Sequence, residues 1–295
     1  MNIKTIVTST RLPFLILTPV CVLLGVSVVV FEHQSVDLSL LILVLIGALS
    51  AHISVNTLNE YLDYKSGLDL KTKRTNFSGG SGALLKHPET LRSVLITGIV
   101  FFLITTLIGL YFISLHGLDI MPIGLLGLAL VLSYTSWINK HPLLCLISPG
   151  LGFGLLMVVG TQFVLTGEYS LTSVLVSSIP FFLVNNLLLL NQYPDIKADI
   201  GAGRRHFPIV YGINQSNKVY ALFTLIAIIL IVVYVALGYL PNLSLIALIP
   251  MPLAFLSLQG MVKHGQHIGS FQHYLGANVA LTLLTPLLLA LSLLV

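Results

Sequence analysis

Long uncharged stretches alternate with short polar segments along the whole chain. A helix needs about 20 apolar residues to cross the roughly 30 Å hydrocarbon core of a bilayer. The run 219–262 is too long for one crossing and divides at the turn signal 238–242. The resulting spans are 12–31, 38–58, 93–115, 120–139, 142–167, 169–194, the two halves of 219–262, and 274 to the C-terminus. The pattern predicts an all-α membrane protein with nine transmembrane helices.

The composition agrees with this pattern. Of the 295 residues, 56% are hydrophobic and 8% are charged, and the mean hydropathy is +0.99. A soluble domain carries about a quarter charged residues. The composition therefore excludes a cytosolic enzyme, a disordered regulator, a disulfide scaffold and a DNA-binding module. We expect a single domain over residues 1–295 embedded in a lipid bilayer, with no nucleic-acid partner.

All 14 lysine and arginine residues fall on one side of the nine-span arrangement. Basic loops mark the cytoplasmic side of a membrane protein. The N-terminus is therefore expected in the cytoplasm, in a multi-pass protein of the cell (inner) membrane. The short loops of the other side carry four acidic residues that we interpret as solvated: Glu32, Asp37, Asp119 and Glu168.

Two polar clusters follow the second and sixth predicted helices and share one pattern. Each has an asparagine, an aspartate four residues later, another aspartate and then basic residues; the members are Asn59, Asp63 and Asp69, and Asn191, Asp195 and Asp199. Asn56 extends the first cluster along the same helix face, because residues four apart are neighbours on a helix. Asn59 and Asn191 are 132 residues apart, which favours a duplicated four-helix unit plus one further helix.

Carboxylates at a membrane boundary are costly unless they are paired with cations or a metal. Mg²⁺ prefers oxygen ligands and takes one or two carboxylates together with substrate phosphates. The two clusters, with motif loops at about 56–90 and 191–218, therefore predict a cytoplasmic cradle for a Mg²⁺-bridged diphosphate. The glycine-rich segment 76–82 between them is interpreted as a flexible loop whose backbone N–H groups could approach a phosphate.

The two motifs resemble those of the UbiA superfamily of intramembrane aromatic prenyltransferases, over essentially the whole chain. Residues 63–69 read DYKSGLD, residues 191–199 read NQYPDIKAD, and a Val-Tyr-Gly follows at 210–212. Arg11-Leu-Pro13 is similar to the Arg-Pro opening of many members. With Asp69, the first motif most resembles that of the menaquinone branch, whose members prenylate 1,4-dihydroxy-2-naphthoate. Two departures are Glu60, where the family commonly has aspartate, and Gly67, where 4-hydroxybenzoate enzymes carry an acidic residue.

The resemblance implies a nine-helix bundle, an allylic polyprenyl diphosphate, an aromatic acceptor and Mg²⁺. It implies metal ligands at Asn59, Asp63, Asp69, Asp195 and Asp199, and phosphate contacts from Lys65, Arg74 and Arg204. Asp63, Asp195 and Tyr134 are the expected catalytic residues, and Asn56 and Asn191 are candidate substrate contacts. Tyr134 matches a family tyrosine beside the reacting carbon. The alternative is that Tyr134 is one of the aromatic residues commonly found at the membrane–water interface.

Other readings remain open on sequence alone. The acceptor could be 4-hydroxybenzoate, homogentisate, a lipid or a chlorophyll-type ring. A membrane transporter would place its polar residues near the middle of the bilayer, whereas here they lie at one face. His52 is interpreted as a hydrogen-bonded interior residue, and Gly150, Gly152 and Gly154 as a site of close helix packing.

Overall fold

The computed structural model describes residues 2–295, and no strand occurs in this range. The first seven helices are α1 (Ile3–Ser9), α2 (Leu17–Phe31), α3 (Leu38–Lys65), α4 (Leu68–Lys71), α5 (Ala83–Lys86), α6 (Leu91–His116) and α7 (Met121–Ser133). The others are α8 (Pro142–Pro149), α9 (Met157–Thr166), α10 (Leu171–Asn191), α11 (Ile196–Gly201), α12 (Phe207–Ala236), α13 (Pro252–His264) and α14 (Gln272–Leu293). The expected all-α fold is confirmed.

Within residues 2–295, eight segments are long and apolar enough to cross a membrane. They are Leu12–Phe31, Leu38–Lys65, Pro88–Ser133, Pro142–Thr166, Leu171–Asn191, Phe207–Ala236, Asn242–Ser270 and Gln272–Leu293. Seven of them correspond one to one to predicted helices, and Pro88–Ser133 covers the two predicted at 93–115 and 120–139. The chain is therefore a multi-pass integral membrane protein.

The Pro88–Ser133 segment contains two helices joined by a turn. Its 46 residues would extend about 70 Å as one helix, roughly twice the thickness of the hydrocarbon core. The 3₁₀ turn Gly117–Ile120 separates α6 from α7. The Asp119 carbonyl in this turn accepts a hydrogen bond from the Tyr169 hydroxyl at 2.7 Å. Because α7 alone has 13 residues, the count of nine spanning helices stays a prediction.

The two ends of the bundle differ in the residues that they gather. At one end, Ser170 donates a hydrogen bond to the Glu32 carboxylate, near the contact between Tyr169 and Asp119. These acidic loops meet as the alternation of spans predicts. At the other end, called the motif end below, α3 finishes at Lys65 and α10 at Asn191. Which end faces the cytoplasm, and the internal duplication, stay predictions.

Among the eight membrane-spanning segments of residues 2–295, the one that forms α10 is the most buried, and small residues allow its neighbour to approach. A Cβ atom on Gly150 or Gly154 would collide with the backbone of Phe181 on α10. The Gly150 N–H donates to Asn185 Oδ1 at 2.6 Å, and residues Gly150–Leu156 form a π-helical segment. The prediction of close packing is confirmed at Gly150 and Gly154, whereas a Cβ atom on Gly152 would meet only Leu130 Cδ1 at 3.8 Å.

The first half of the bundle is packed less fully. Helix α7 buries none of its 13 residues, and α6 buries three of its 26, namely Val94, Gly98 and Phe112. The long apolar faces of these two helices are therefore available to lipid or to a bound apolar molecule. A cavity lies along their inner side.

Candidate active site

A cavity of about 620 Å³ starts at the motif end and extends along the bundle between α3, α6, α7 and α9. Its polar end is lined by Arg11, Asn56, Asn59, Asp63, Asp69, Tyr134, Asn191, Asp195, Asp199, Arg204 and His206. The remainder is lined mainly by apolar residues, among them Ile108, Ile123, Leu128 and Met157. The cavity therefore combines a charged end with a long apolar body.

Nine of the eleven residues expected at the site line this cavity, and all six motif residues are among them. The exceptions are Lys65 and Arg74. The ammonium group of exposed Lys65 lies 5.7 Å from the ring centroid of Tyr61. The Arg74 Nε donates to the Gly79 carbonyl at 3.2 Å, and its guanidinium packs against Gly82. The structure does not bring these two cations to the cavity.

Arg204 joins the two motifs. It donates from Nη1 to Asp199 Oδ1 at 2.9 Å and from Nη2 to Asp63 Oδ1. Burial opposes the charge of this guanidinium, but the two carboxylates outweigh burial and raise the pKa of Arg204 above its ordinary value. One planar side chain thus bridges residues that lie 141 positions apart in the chain.

His206 is a buried partner of the second motif that the sequence patterns did not reveal. Its Nε2 lies 2.8 Å from Asp199 Oδ2, and the residue is 2% exposed. Both oxygens of Asp199 therefore have protein partners, Arg204 and His206. The contact depends on the turn at Gly203, whose φ of +74° lets the chain double back. Positions 199 and 206 are seven apart, but α11 ends at Gly201, so the contact is made across the turn and not along one helix face.

Three enclosed oxygen atoms at the cavity have no hydrogen-bond partner within residues 2–295: Asp69 Oδ2, Asp195 Oδ1 and Asn191 Oδ1. Burial, reinforced by Glu60 and Asp63, raises the pKa of Asp69 to about 7. Burial, reinforced by Asp199, raises the pKa of Asp195 to about 7. Polar groups buried without partners are unfavourable. Carboxylate and amide oxygens are ligands that a hard divalent cation prefers, so the chemistry of each of these groups suits such an ion.

The expected ligands do not surround a single point. No group of three or more His, Cys, Asp or Glu side chains in the described part of the chain, residues 2–295, is arranged to hold a metal ion. Asp63 and Asp199 pair with Arg204, and Asn59 Oδ1 accepts from Arg11 Nη2 at 3.0 Å. The free oxygens belong to Asp69, Asp195 and Asn191.

Arg11 is the second cation of the cavity. Its Nη2 also reaches Glu60 Oε2 at 3.1 Å, and its backbone adopts a left-handed conformation with φ +56°. That conformation is uncommon for a residue with a side chain. The sequence pointed to Arg11 through its resemblance to the Arg-Pro opening of UbiA members, without assigning it a contact.

The glycine-rich loop 76–82 reaches the carboxylates of the first motif. Gly80 has φ +72°, and a Cβ atom there would lie 2.9 Å from Asp69 Oδ1. Only glycine combines this backbone conformation with so close an approach. Ser78, Gly79 and Gly80 all line the cavity, so the loop forms part of its charged end.

Tyr134 and His52 were each open to a functional or a structural interpretation. Tyr134 follows α7 directly and lines the charged end of the cavity. His52 Nδ1 lies 2.8 Å from Thr18 Oγ1, and its ring packs against Phe153 with centroids 4.5 Å apart. The reading of His52 as a hydrogen-bonded interior residue is confirmed.

Comparison with known proteins identifies the chain's relatives. It is 28% identical to 1,4-dihydroxy-2-naphthoate octaprenyltransferase of Bacillus subtilis (strain 168) over 249 residues, 82% of this chain and 77% of that protein. Its fold is similar to that of a UbiA homolog from Aeropyrum pernix K1, with a TM-score of 0.72, 17% identity, and coverage of 92% and 95% of the two chains. A UbiA homolog from Archaeoglobus fulgidus bound to DMAPP and Mg²⁺ gives a TM-score of 0.62, 15% identity, and coverage of 91% and 98%.

The resemblance inferred from the two aspartate motifs is supported independently by a match to a family model. The model of the UbiA prenyltransferase family matches residues 18–279, which include both motifs and most of the residues that line the cavity, although Arg11 lies outside this range. The chain is a membrane-embedded enzyme and belongs to the UbiA prenyltransferase family.

Proposed function

We propose that this enzyme transfers a polyprenyl group from an allylic polyprenyl diphosphate to 1,4-dihydroxy-2-naphthoate, as a Mg²⁺-dependent step of menaquinone biosynthesis at the cytoplasmic face of the inner membrane. The observation that carries the proposal is that the cavity has a charged end and a long apolar body. Its charged end offers two arginines and free carboxylate oxygens, and its body is apolar. A prenyl diphosphate has the same division between a charged head and an apolar tail.

Asp69 and Asp195 would hold the metal with the side-chain oxygen of Asn191, because these oxygens lack protein partners. Asn59, Asp63 and Asp199 complete the proposed set once the arginine donors turn to phosphate. The Archaeoglobus fulgidus homolog of similar fold, bound to DMAPP and Mg²⁺, supports the use of a prenyl diphosphate together with this metal. Bound Mg²⁺ acts as a Lewis acid that neutralises negative charge on the diphosphate.

The protein's own contribution to stabilising the negative charge of the diphosphate comes from two arginines. Arg204 and Arg11 donate N–H groups to phosphate oxygens, where negative charge grows as the allylic C–O bond breaks. The diphosphate leaves with the electron pair of that bond, and the prenyl carbon becomes an allylic cation. The π face of Tyr134 stabilises this cation. The electron-rich acceptor ring then attacks it to form the new carbon–carbon bond, and the ring becomes aromatic again by losing the group on the attacked carbon, either a proton or the carboxyl group as CO₂.

The apolar body of the cavity excludes water from the cation and receives the prenyl tail. Gly109 on α6 and Gly127 on α7 line the cavity, and a Cβ atom on either would meet no other atom within 4 Å. Leu110 and Leu125, both exposed, line the cavity beside them. The tail therefore runs along the inner side of α6 and α7, with its far end free to enter lipid.

A bulky side chain at Gly127 is expected to reject long tails. In Gly127→Phe, transfer of a geranylgeranyl or longer group falls about tenfold or more relative to a geranyl group, because the ring occupies space that only the longer tail needs. The ratio of kcat/KM for the two donors measures the effect. Ala129→Phe, on the exposed side of the same helix and outside the cavity, is the matched control. An unchanged donor ratio in Gly127→Phe would contradict this tail path.

The acceptor assignment is supported by the name of the Bacillus subtilis relative and by the spacing of Asp69 and Gly67. The test uses purified protein in detergent with a radiolabelled polyprenyl diphosphate and Mg²⁺. Dihydroxynaphthoate, 4-hydroxybenzoate and homogentisate are supplied separately. We expect product with dihydroxynaphthoate alone, and none after EDTA treatment. Product with another ring would overturn the acceptor assignment, and undiminished product in EDTA would overturn the metal dependence.

A further inference from the structure

Glu60 stands in the first motif where the family commonly has aspartate. Its contacts differ from those of the neighbouring carboxylates. The residue is fully buried. The Ser81 N–H donates to Oε2 at 3.0 Å and to Oε1 at 3.2 Å. The Ser81 hydroxyl donates to Oε1, and Arg11 Nη2 donates to Oε2 at 3.1 Å. Protein donors therefore occupy both oxygens, whereas Asp69 and Asp195 each keep an oxygen without a partner.

Ser81 connects Glu60 to the loop over the charged end of the cavity. Its hydroxyl also accepts from the Ala83 N–H at 3.1 Å, at the start of α5. Directly before it, Gly80 packs on the Asp69 carboxylate, and the Gly79 backbone lies against Asp195. The hydrogen bonds between Glu60 and Ser81 therefore tie to α3 the segment that touches a carboxylate of each motif, in addition to the bond from Arg74 Nε to the Gly79 carbonyl.

The length of the side chain decides whether these contacts form. An aspartate at position 60 would withdraw its carboxylate by about one carbon–carbon bond, roughly 1.5 Å. The Ser81 N–H and the Arg11 guanidinium now lie at 3.0 and 3.1 Å, so a withdrawal of that size would break both hydrogen bonds. The extra methylene of glutamate is what lets α3 reach the loop.

We propose that Glu60 is a positioning residue and not a metal ligand. It ties the backbone of Gly79 and Gly80, through Ser81, and the guanidinium of Arg11 to α3, so that both face the diphosphate head. This inference rests on the proposed function, because the group that the loop and Arg11 address is the diphosphate of that reaction. It assigns to Glu60 and Ser81 a joint role in binding the donor substrate.

The test compares Glu60→Gln, Ser81→Ala and the double variant with the wild-type enzyme. Loss of a hydrogen bond to a charged group is expected to raise the KM for the prenyl diphosphate about tenfold or more in either single variant. The kcat and the Mg²⁺ concentration for half-maximal rate stay at their wild-type values. The double variant is no weaker than Glu60→Gln, because both changes break one link. Glu89→Gln, an exposed glutamate change, is the control.

A second readout is independent of catalysis. Hydrogen–deuterium exchange over residues 76–82 is expected to be slow in the substrate-free wild type and faster in Glu60→Gln, Glu60→Asp and Ser81→Ala. If the wild type transfers no prenyl group but shows this pattern, the proposed function fails while the positioning role stands. An altered Mg²⁺ requirement in Glu60→Gln with a normal Ser81→Ala would identify Glu60 as a metal ligand and overturn the proposal. Unchanged exchange in all three variants would also overturn it.

Discussion

Asp195→Asn is expected to lower the rate of prenyl transfer by at least about a hundredfold, the scale on which single electrostatic contributors to a transition state act. Asp195 has an enclosed oxygen without a protein partner, in surroundings that raise the pKa of its carboxyl group to about 7. The substitution keeps the shape of the side chain but removes the charge that would hold Mg²⁺. The rate at saturating donor and acceptor measures the loss.

The matched control is Asp119→Asn, at the opposite end of the bundle in an exposed turn. It should insert, purify and transfer the prenyl group as the wild type does. A fully active Asp195→Asn enzyme would show that the second motif does not hold the metal. An inactive Asp119→Asn enzyme would indicate that the active site lies at the end of the bundle opposite to the motifs, which would contradict the proposal.

Arg204→Gln is expected to destabilise the fold as well as the reaction. The change leaves the buried carboxylates of Asp63 and Asp199 without their shared guanidinium. Removing one partner of a buried ion pair costs about 3–5 kcal/mol in the free energy of unfolding. Cys21 and Cys145 are both buried free thiols, so their reaction with a fluorescent maleimide during heating reports unfolding in detergent.

Arg205→Gln is the control for this prediction, because Arg205 is adjacent in sequence but exposed. Its thiol-reaction temperature should match that of the wild type. If Arg204→Gln unfolds at the wild-type temperature as well, the bridge between the motifs contributes nothing to stability. In that case Arg204 would serve only the substrate.

The sequence was sufficient to predict the helical membrane fold and the meeting of the two motifs. Uncharged runs of 20 residues have few alternatives to a spanning helix. The motifs close the second and sixth predicted helices, and this even number of crossings places both motifs at one end. Spacing could not say which carboxylates pair with protein cations. The bridge between Asp63 and Asp199 requires the position of Arg204, which depends on how α11 and α12 pack.

The two cations nearest the first motif in sequence, Lys65 and Arg74, do not line the cavity, and their role as phosphate contacts stays a prediction. Lys65 follows Asp63 by two residues, which on a helix is a rotation of about 200°, so its side chain points away from the cavity. Arg74 lies in the turn before the glycine loop, where it bonds the Gly79 carbonyl. Arg11 lines the charged end of the cavity instead. It contacts Glu60, which is 49 positions away in the chain, and no local pattern encodes that contact.

Direct binding of a non-reactive prenyl thiodiphosphate is the measurement closest to the central claim that the two motifs form one metal–diphosphate site. Titration calorimetry in detergent would compare the wild type with Asp69→Asn and Asp195→Asn, with Mg²⁺ and with EDTA. We expect tight binding only by the wild type in Mg²⁺, with about tenfold or greater loss in either variant. Equal binding in EDTA, or by both variants in Mg²⁺, would contradict the claim.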